Sequence, residues 1–138
     1  MARLDGLFLS PVLLGAITAP LETYGVSEIA TYPIYEEDGG RRLSRVLVAC
    51  DTALVEVTVV HPDDNAVTVS HRFVPWRHID AGLSCSTEVR GPRLYSRTTA
   101  ELAIPMIGVT LATTAERDDP FGPFARAVLA HASGPQPV

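Results

Sequence analysis

The chain contains no lysine; all eleven of its basic residues are arginine. That absence excludes a Schiff-base amine and a lysine-bearing phosphate loop, because both chemistries need a primary ammonium group. Cysteine is almost as scarce. Cys50 and Cys85 lie 35 residues apart and form no CxxC pair, so a zinc site of closely spaced thiolates is excluded. A disulfide between them requires neighbouring strands with Cα atoms about 4.4–6.8 Å apart. The simpler expectation is two small buried hydrophobes in a reducing cytosol. Positive charge is in deficit as well: sixteen acidic residues against eleven arginines leave a net charge of −5. This balance argues against sequence-independent binding of nucleic acid or of an anionic membrane, which needs a basic surface. Long apolar runs are also missing. The run from Leu7 to Ala19 is interrupted by Pro11 and is too short to span a bilayer. With one Arg and one Asp before it, it lacks the basic flank of a signal peptide. It is read as part of the fold and the chain as cytoplasmic, export being the alternative.

What is present is apolar and β-rich. The chain has 138 residues, of which 46% are hydrophobic, enough for one domain with a real core. Its mean hydropathy of +0.18 suggests a generous core or an apolar surface that meets a partner, most simply a second copy. Ser10-Pro11 resembles an N-cap with proline at the first helical position, and Leu13, Leu14, Ile17 and Leu21 recur at helical spacing, predicting a short helix over 10–19. From residue 28 the texture becomes β. Glu28–Glu36 runs into Asp38-Gly39-Gly40, a hairpin signal, and returns as Arg42–Cys50. In Ala53–Val60, residues Ala53, Val55, Val57 and Val59 alternate with Leu54, Glu56, Thr58 and Val60. His61-Pro62-Asp63-Asp64-Asn65 reads as a turn. In Ala66–Val74, Val67, Val69, His71 and Phe73 share a face. Further strands are expected at Leu83–Val89, Leu94–Arg97, Thr99–Ile104 and Ile107–Thr114.

The last element is an amphipathic helix over 120–132. Asp118 and Asp119 precede Pro120, and Phe121, Phe124, Ala125, Val128, Leu129 and Ala132 fall on one stripe. Gly134-Pro135 stops it and 133–138 reads as a disordered tail. The expected fold is therefore mainly β with α: an antiparallel, partly open barrel or sandwich of six to eight short strands. The four large side chains Phe121, Phe124, Val128 and Leu129 seal it.

Several residues invite a functional reading, and each has a plainer one. His71 on an apolar face could serve as a base or ligand, yet such a histidine is more often a satisfied core residue. His61, Asp63 and Asp64, with His78 and Asp80, offer metal-ligand types, but Pro and Asx turn chemistry already accounts for most of them. Cys85 alternates with Leu83, Thr87 and Val89, which points to a buried, inert thiol. No GxSxG elbow or HExxH pair is present. Arg90, Arg93 and Arg97, with Tyr95 between them, form the densest basic segment, and Arg72 and Arg77 a second; guanidinium forks bind carboxylate or phosphate. Trp76, the only tryptophan, either plugs the barrel mouth or anchors a partner, with plugging favoured.

The strand order with a closing helix resembles the pleckstrin-homology superfold. The stretch Arg45–Ala132 is similar to bacterial PH-like domains, notably in the run from Val67 to Ile79 through Val74-Pro75-Trp76-Arg77. The resemblance implies a binding scaffold with an open ligand identity, since this fold hosts lipid, peptide and protein binding alike. The basic first hairpin of lipid-binding members is not matched: here Glu36-Glu37-Asp38-Gly39-Gly40-Arg41-Arg42 is as acidic as it is basic. The expectation is a non-catalytic binding or assembly module without cofactor or metal, joining a protein partner or itself through Trp76, Arg77, Arg90, Arg93, Tyr95, Arg97 or His71. The alternatives are a small-molecule carrier or enzyme with His71 in a cavity, and an anionic-ligand or nucleic-acid binder through Arg90–Arg97.

Overall fold

A computed structural model describes residues 11–37, 41–63, 66–91, 95–113 and 119–132. The order is α1 (Pro11–Thr23), β1 (Glu28–Glu37), β2 (Arg41–Cys50), β3 (Ala53–Asp63), β4 (Ala66–Pro75), β5 (Gly82–Arg90), β6 (Tyr95–Ile104), β7 (Val109–Ala112) and α2 (Phe121–His131). Single 3-10 turns, Trp76–His78 and Pro105–Ile107, precede β5 and β7. All strand pairs are antiparallel, in a four-stranded meander β1-β2-β3-β4 and a three-stranded meander β5-β6-β7. The two sheets are not closed into a barrel. Among the described residues, no helix is long and apolar enough to cross a membrane.

The four-stranded sheet is covered on both faces, which explains the near-continuous apolar runs in β2 and β3. Val46, Val48, Cys50, Val55, Val57 and Val59 form one core with Ile17 and Leu21 of α1. Leu47, Ala49, Leu54 and Val74 point the other way, into a second core with Leu102, Ile104, Val109 and Leu111 of the smaller sheet and Phe121, Phe124 and Val128 of α2. Strand alternation alone would put Leu43 on the Leu47 face. Instead the β1–β2 register shifts between Ile34↔Arg45 and Tyr35↔Leu43, leaving Ser44 as the extra residue. That bulge returns Leu43 to the α1 core. The Ser44 hydroxyl donates to the Ile34 carbonyl at 3.1 Å.

Helix α1 runs one turn beyond the predicted 10–19, carrying Pro20 inside it. Its end is set by Gly25 at φ +67, with Val26 N–H bonded to Leu21 O at 3.0 Å and Gly25 N–H to Glu22 O at 3.2 Å. This paired closure is a Schellman motif, which needs a residue free to turn left-handed. The expected N-cap Ser10 lies outside the described residues, as do Asp38-Gly39-Gly40, Asp118 and the tail 133–138.

Four further expectations change. The two strands expected over 94–97 and 99–104 are one from Tyr95 onward, β6, paired without interruption to β5 from Gly82↔Ala103 to Arg90↔Tyr95, Leu94 lying outside the described residues. The strand expected over Ile107–Thr114 starts at Val109, because left-handed Gly108 (φ +65) closes the 3-10 turn and reverses the chain. The turn at His61–Asn65 begins later, since β3 continues to Asp63 opposite Ala66. Helix α2 is rotated from its expected stripe. Phe121, Phe124, Ala125, Ala127 and Val128 are buried, whereas Leu129 is 44% exposed and seals nothing. Burying Phe121, Phe124 and Val128 contributes roughly 1.5–3 kcal/mol each. The Asp119 carboxylate accepts from Phe121 N–H at 3.0 Å, satisfying an orphan donor at the positive end of the helix dipole.

Candidate functional site

The residues singled out from sequence do not converge. Trp76 is buried, its indole Nε1 donating to the Cys50 carbonyl at 2.8 Å and its ring 5.4 Å from that of His131. It fastens the end of β2, the turn after β4 and the last turn of α2 together. Arg77 beside it is exposed, with Nε 3.3 Å from His78 Nε2. His71 lies under α1, where Nε2 donates to the Ile17 carbonyl at 2.8 Å and the ring stacks on Phe73. That nitrogen is thus committed to holding a helix.

The thiols divide. Cys50 is fully buried and free, and burial, then Asp51 and Glu28, push its pKa up to about 12, so it stays protonated and unreactive. Cys85 is also free but exposed, contrary to the burial that alternation suggested. The reason is that β5 has no layer packed over it at this point: all nine of its residues are exposed. Tyr32, next to Phe124, has its phenol pKa raised by burial and then by Asp119. Among the described residues, no group of three or more His, Cys, Asp or Glu is placed to hold a metal ion. Asp64 lies outside those residues.

Two features went unremarked in the sequence. First, Glu56 is held between Arg45 (3.5 Å) and Arg72 (3.9 Å), its neighbours on β2 and β4, with only 12% of its side chain exposed. Arg45 also lines a cleft of about 650 Å³ with Glu36, Arg42, Leu43, Val60 and His61. His61 Nε2 is buried and has no hydrogen-bond partner among the described residues. His71 is not part of that cleft. Period-two patterning cannot reveal such a group, because it depends on which strands become neighbours.

Second, β5 and β6 form a ribbon that leaves the body. At its root Leu102 is fully buried and Ala100 packs against the core. Beyond it Arg97, Thr98 and Thr99 are exposed in β6, as is the whole of β5. The ribbon is held by its ladder, by Thr87 Oγ1 2.9 Å from Thr98 Oγ1, and by the Arg90–Glu88 ion pair. Arg97 is opposite Glu88 in the register, and Tyr95 is opposite Arg90. Two of the arginines expected to form a basic patch therefore flank an acid; Arg93 lies outside the described residues. Among the described strands β5 pairs only with β6, so its other edge is open.

Comparison with known proteins finds no match: no family model, no curated protein and no solved structure aligns with this chain.

Proposed function

We propose that this protein is a non-catalytic assembly module, working in the cytoplasm, that joins protein chains by strand addition to the open edge of β5. The observation that carries the reading is that β5 is exposed at all nine positions while standing at the edge of its sheet. A two-stranded ribbon is at best marginally stable alone in water. Exposed edges are usually blunted with proline, lysine or inward charge. β5 has no proline or lysine, and its only charges, Glu88 and Arg90, neutralise each other near the tip. An unprotected edge of this length is a template for another strand. Antiparallel strands closed by a helix support carrying the PH-like resemblance forward as a binding scaffold. Two free thiols, Cys50 and Cys85, suit a reducing compartment.

The test replaces residues 84–99 with a short Gly-Ser turn. That variant keeps the body's far-UV circular dichroism and cooperative melting but loses the concentration-dependent association of the full chain in analytical ultracentrifugation. A full chain that stays monomeric, or association that survives the replacement, refutes the reading.

A second reading has one observation in its favour. The unpartnered His61 Nε2, in a cleft that Arg42 also lines, suits a small carboxylate or phosphate. Inorganic phosphate titrated at low ionic strength then moves the His61 resonances with saturation; no movement dismisses it.

A further inference from the structure

Resting on the assembly reading, we infer that the strand received by β5 is β5 of a second copy, paired antiparallel about a two-fold axis at Ser86. Backbone geometry restricts the registers first. Along an edge, outward-pointing N–H and C=O groups belong to every second residue. Two identical antiparallel edges therefore mate only when odd-numbered residues face odd and even face even. The same condition keeps each face continuous from one copy to the next.

Among the registers that remain, side chains select one. Ser86 is the midpoint of Gly82–Arg90, so centring there uses the whole strand. Leu83 then faces the partner's Val89, and Val89 the partner's Leu83, so that side chains 40% and 58% exposed in the single chain gain an apolar cross-strand neighbour. Cys85 faces the partner's Thr87 between them, so Leu83, Cys85, Thr87 and Val89 make one uninterrupted, uncharged stripe through the junction. On the other face Glu88 meets the partner's Ser84, and Arg90 the partner's Gly82, so no like charges oppose each other. A slip to a centre at Thr87 leaves Leu83 unpaired, and a slip to Cys85 leaves Val89 unpaired. A centre at Glu88 sets two carboxylates face to face. The self-complementary order apolar–small–small–apolar at 83, 85, 87 and 89 is what an isologous interface requires.

The result is a six-stranded sheet, β7-β6-β5 joined to its symmetry copy, with the two bodies at its far ends. Because the junction is one strand wide, it buries less than the roughly 1,200–2,000 Å² of a standard stable interface. Association in the micromolar range, not nanomolar, is expected.

Disulfide trapping tests the register. In a Cys85→Ser background, Ser86→Cys places a thiol directly across the axis from its own copy, at the Cα spacing of about 4.5–5.5 Å found between facing strand residues. That lies within disulfide reach. Ser84→Cys instead faces the partner's Glu88 and sits four residues along from its own copy, out of reach. Under mild oxidation the Ser86→Cys protein should give covalent dimer at least tenfold faster than Ser84→Cys. Mixing Ser84→Cys with Glu88→Cys should trap the heterodimer. Association that depends on the ribbon but shows equal or reversed trapping rates overturns the Ser86 axis while leaving strand addition standing. Association that is absent, or independent of the ribbon, overturns both.

Discussion

The orientation of α2 decides whether the small sheet and the helix enclose a core, and two substitutions on different sides of it measure that orientation. Phe124 is fully buried, against Tyr32 with ring centroids 5.8 Å apart, while Leu129 is 44% exposed. Phe124→Ala removes a whole ring from a packed site and should cost about 3–5 kcal/mol. For a chain of this size that lowers Tm by roughly 10–20 °C. Leu129→Ala removes a side chain that already spends much of its area in water, and should cost under about 1 kcal/mol. The milder Phe124→Leu, at roughly 1–2 kcal/mol, guards against an alanine variant too unstable to purify. Urea denaturation followed by far-UV circular dichroism gives all three on one scale, with an unchanged slope as the check on two-state behaviour. Should Leu129→Ala cost as much as Phe124→Ala, Leu129 packs into the core beside Phe124 as the sequence-expected stripe has it, and the 44% exposure of Leu129 is refuted.

Three other outcomes follow from particular contacts. Trp76→Phe leaves the Cys50 carbonyl without the indole donor and should cost about 1–3 kcal/mol; a denaturation midpoint equal to wild type contradicts the 2.8 Å bond. His71→Phe frees the Ile17 carbonyl, so α1 amides should exchange roughly fivefold faster while α2 amides keep their rates. Between the ordinary thiol value of 9.0 and about 12, the unfolded chain loses a Cys50 proton that the folded chain retains. Stability is therefore whole below pH 9 and falls with rising pH through that window, by at most about 1.4 kcal/mol per unit. Cys50→Ala should flatten this alkaline decline in Tm; an equally steep decline in the variant assigns it to another group.

The elements themselves were largely legible. Period-two alternation located β3 and β4, Asp38-Gly39-Gly40 marked the β1–β2 reversal, and Phe121, Phe124 and Val128 marked the core-facing side of α2. The stop of α1 at Gly25 was also written in the chain, as a glycine followed by an apolar Val26 that packs back on Leu21's core. It was obscured by Pro20, which removes one amide from the ladder without ending the helix. The ion group Arg45–Glu56–Arg72 was not legible, because three residues on three strands become neighbours only through the pairing registers of those strands.

Cys85 shows where local pattern stops being informative about burial. Leu83, Cys85, Thr87 and Val89 alternate with polar residues as faithfully as Val55, Val57 and Val59 do, yet the latter are buried and the former are not. Alternation reports that a strand has an apolar face, and the identity of the covering layer is decided elsewhere in the chain. For β3 that layer is α1, supplied by Ile17 and Leu21. For β5 the described residues supply none beyond its root, where Leu102 and Ala100 of β6 meet the core. A face patterned for burial and left uncovered carries a free-energy cost in the single chain.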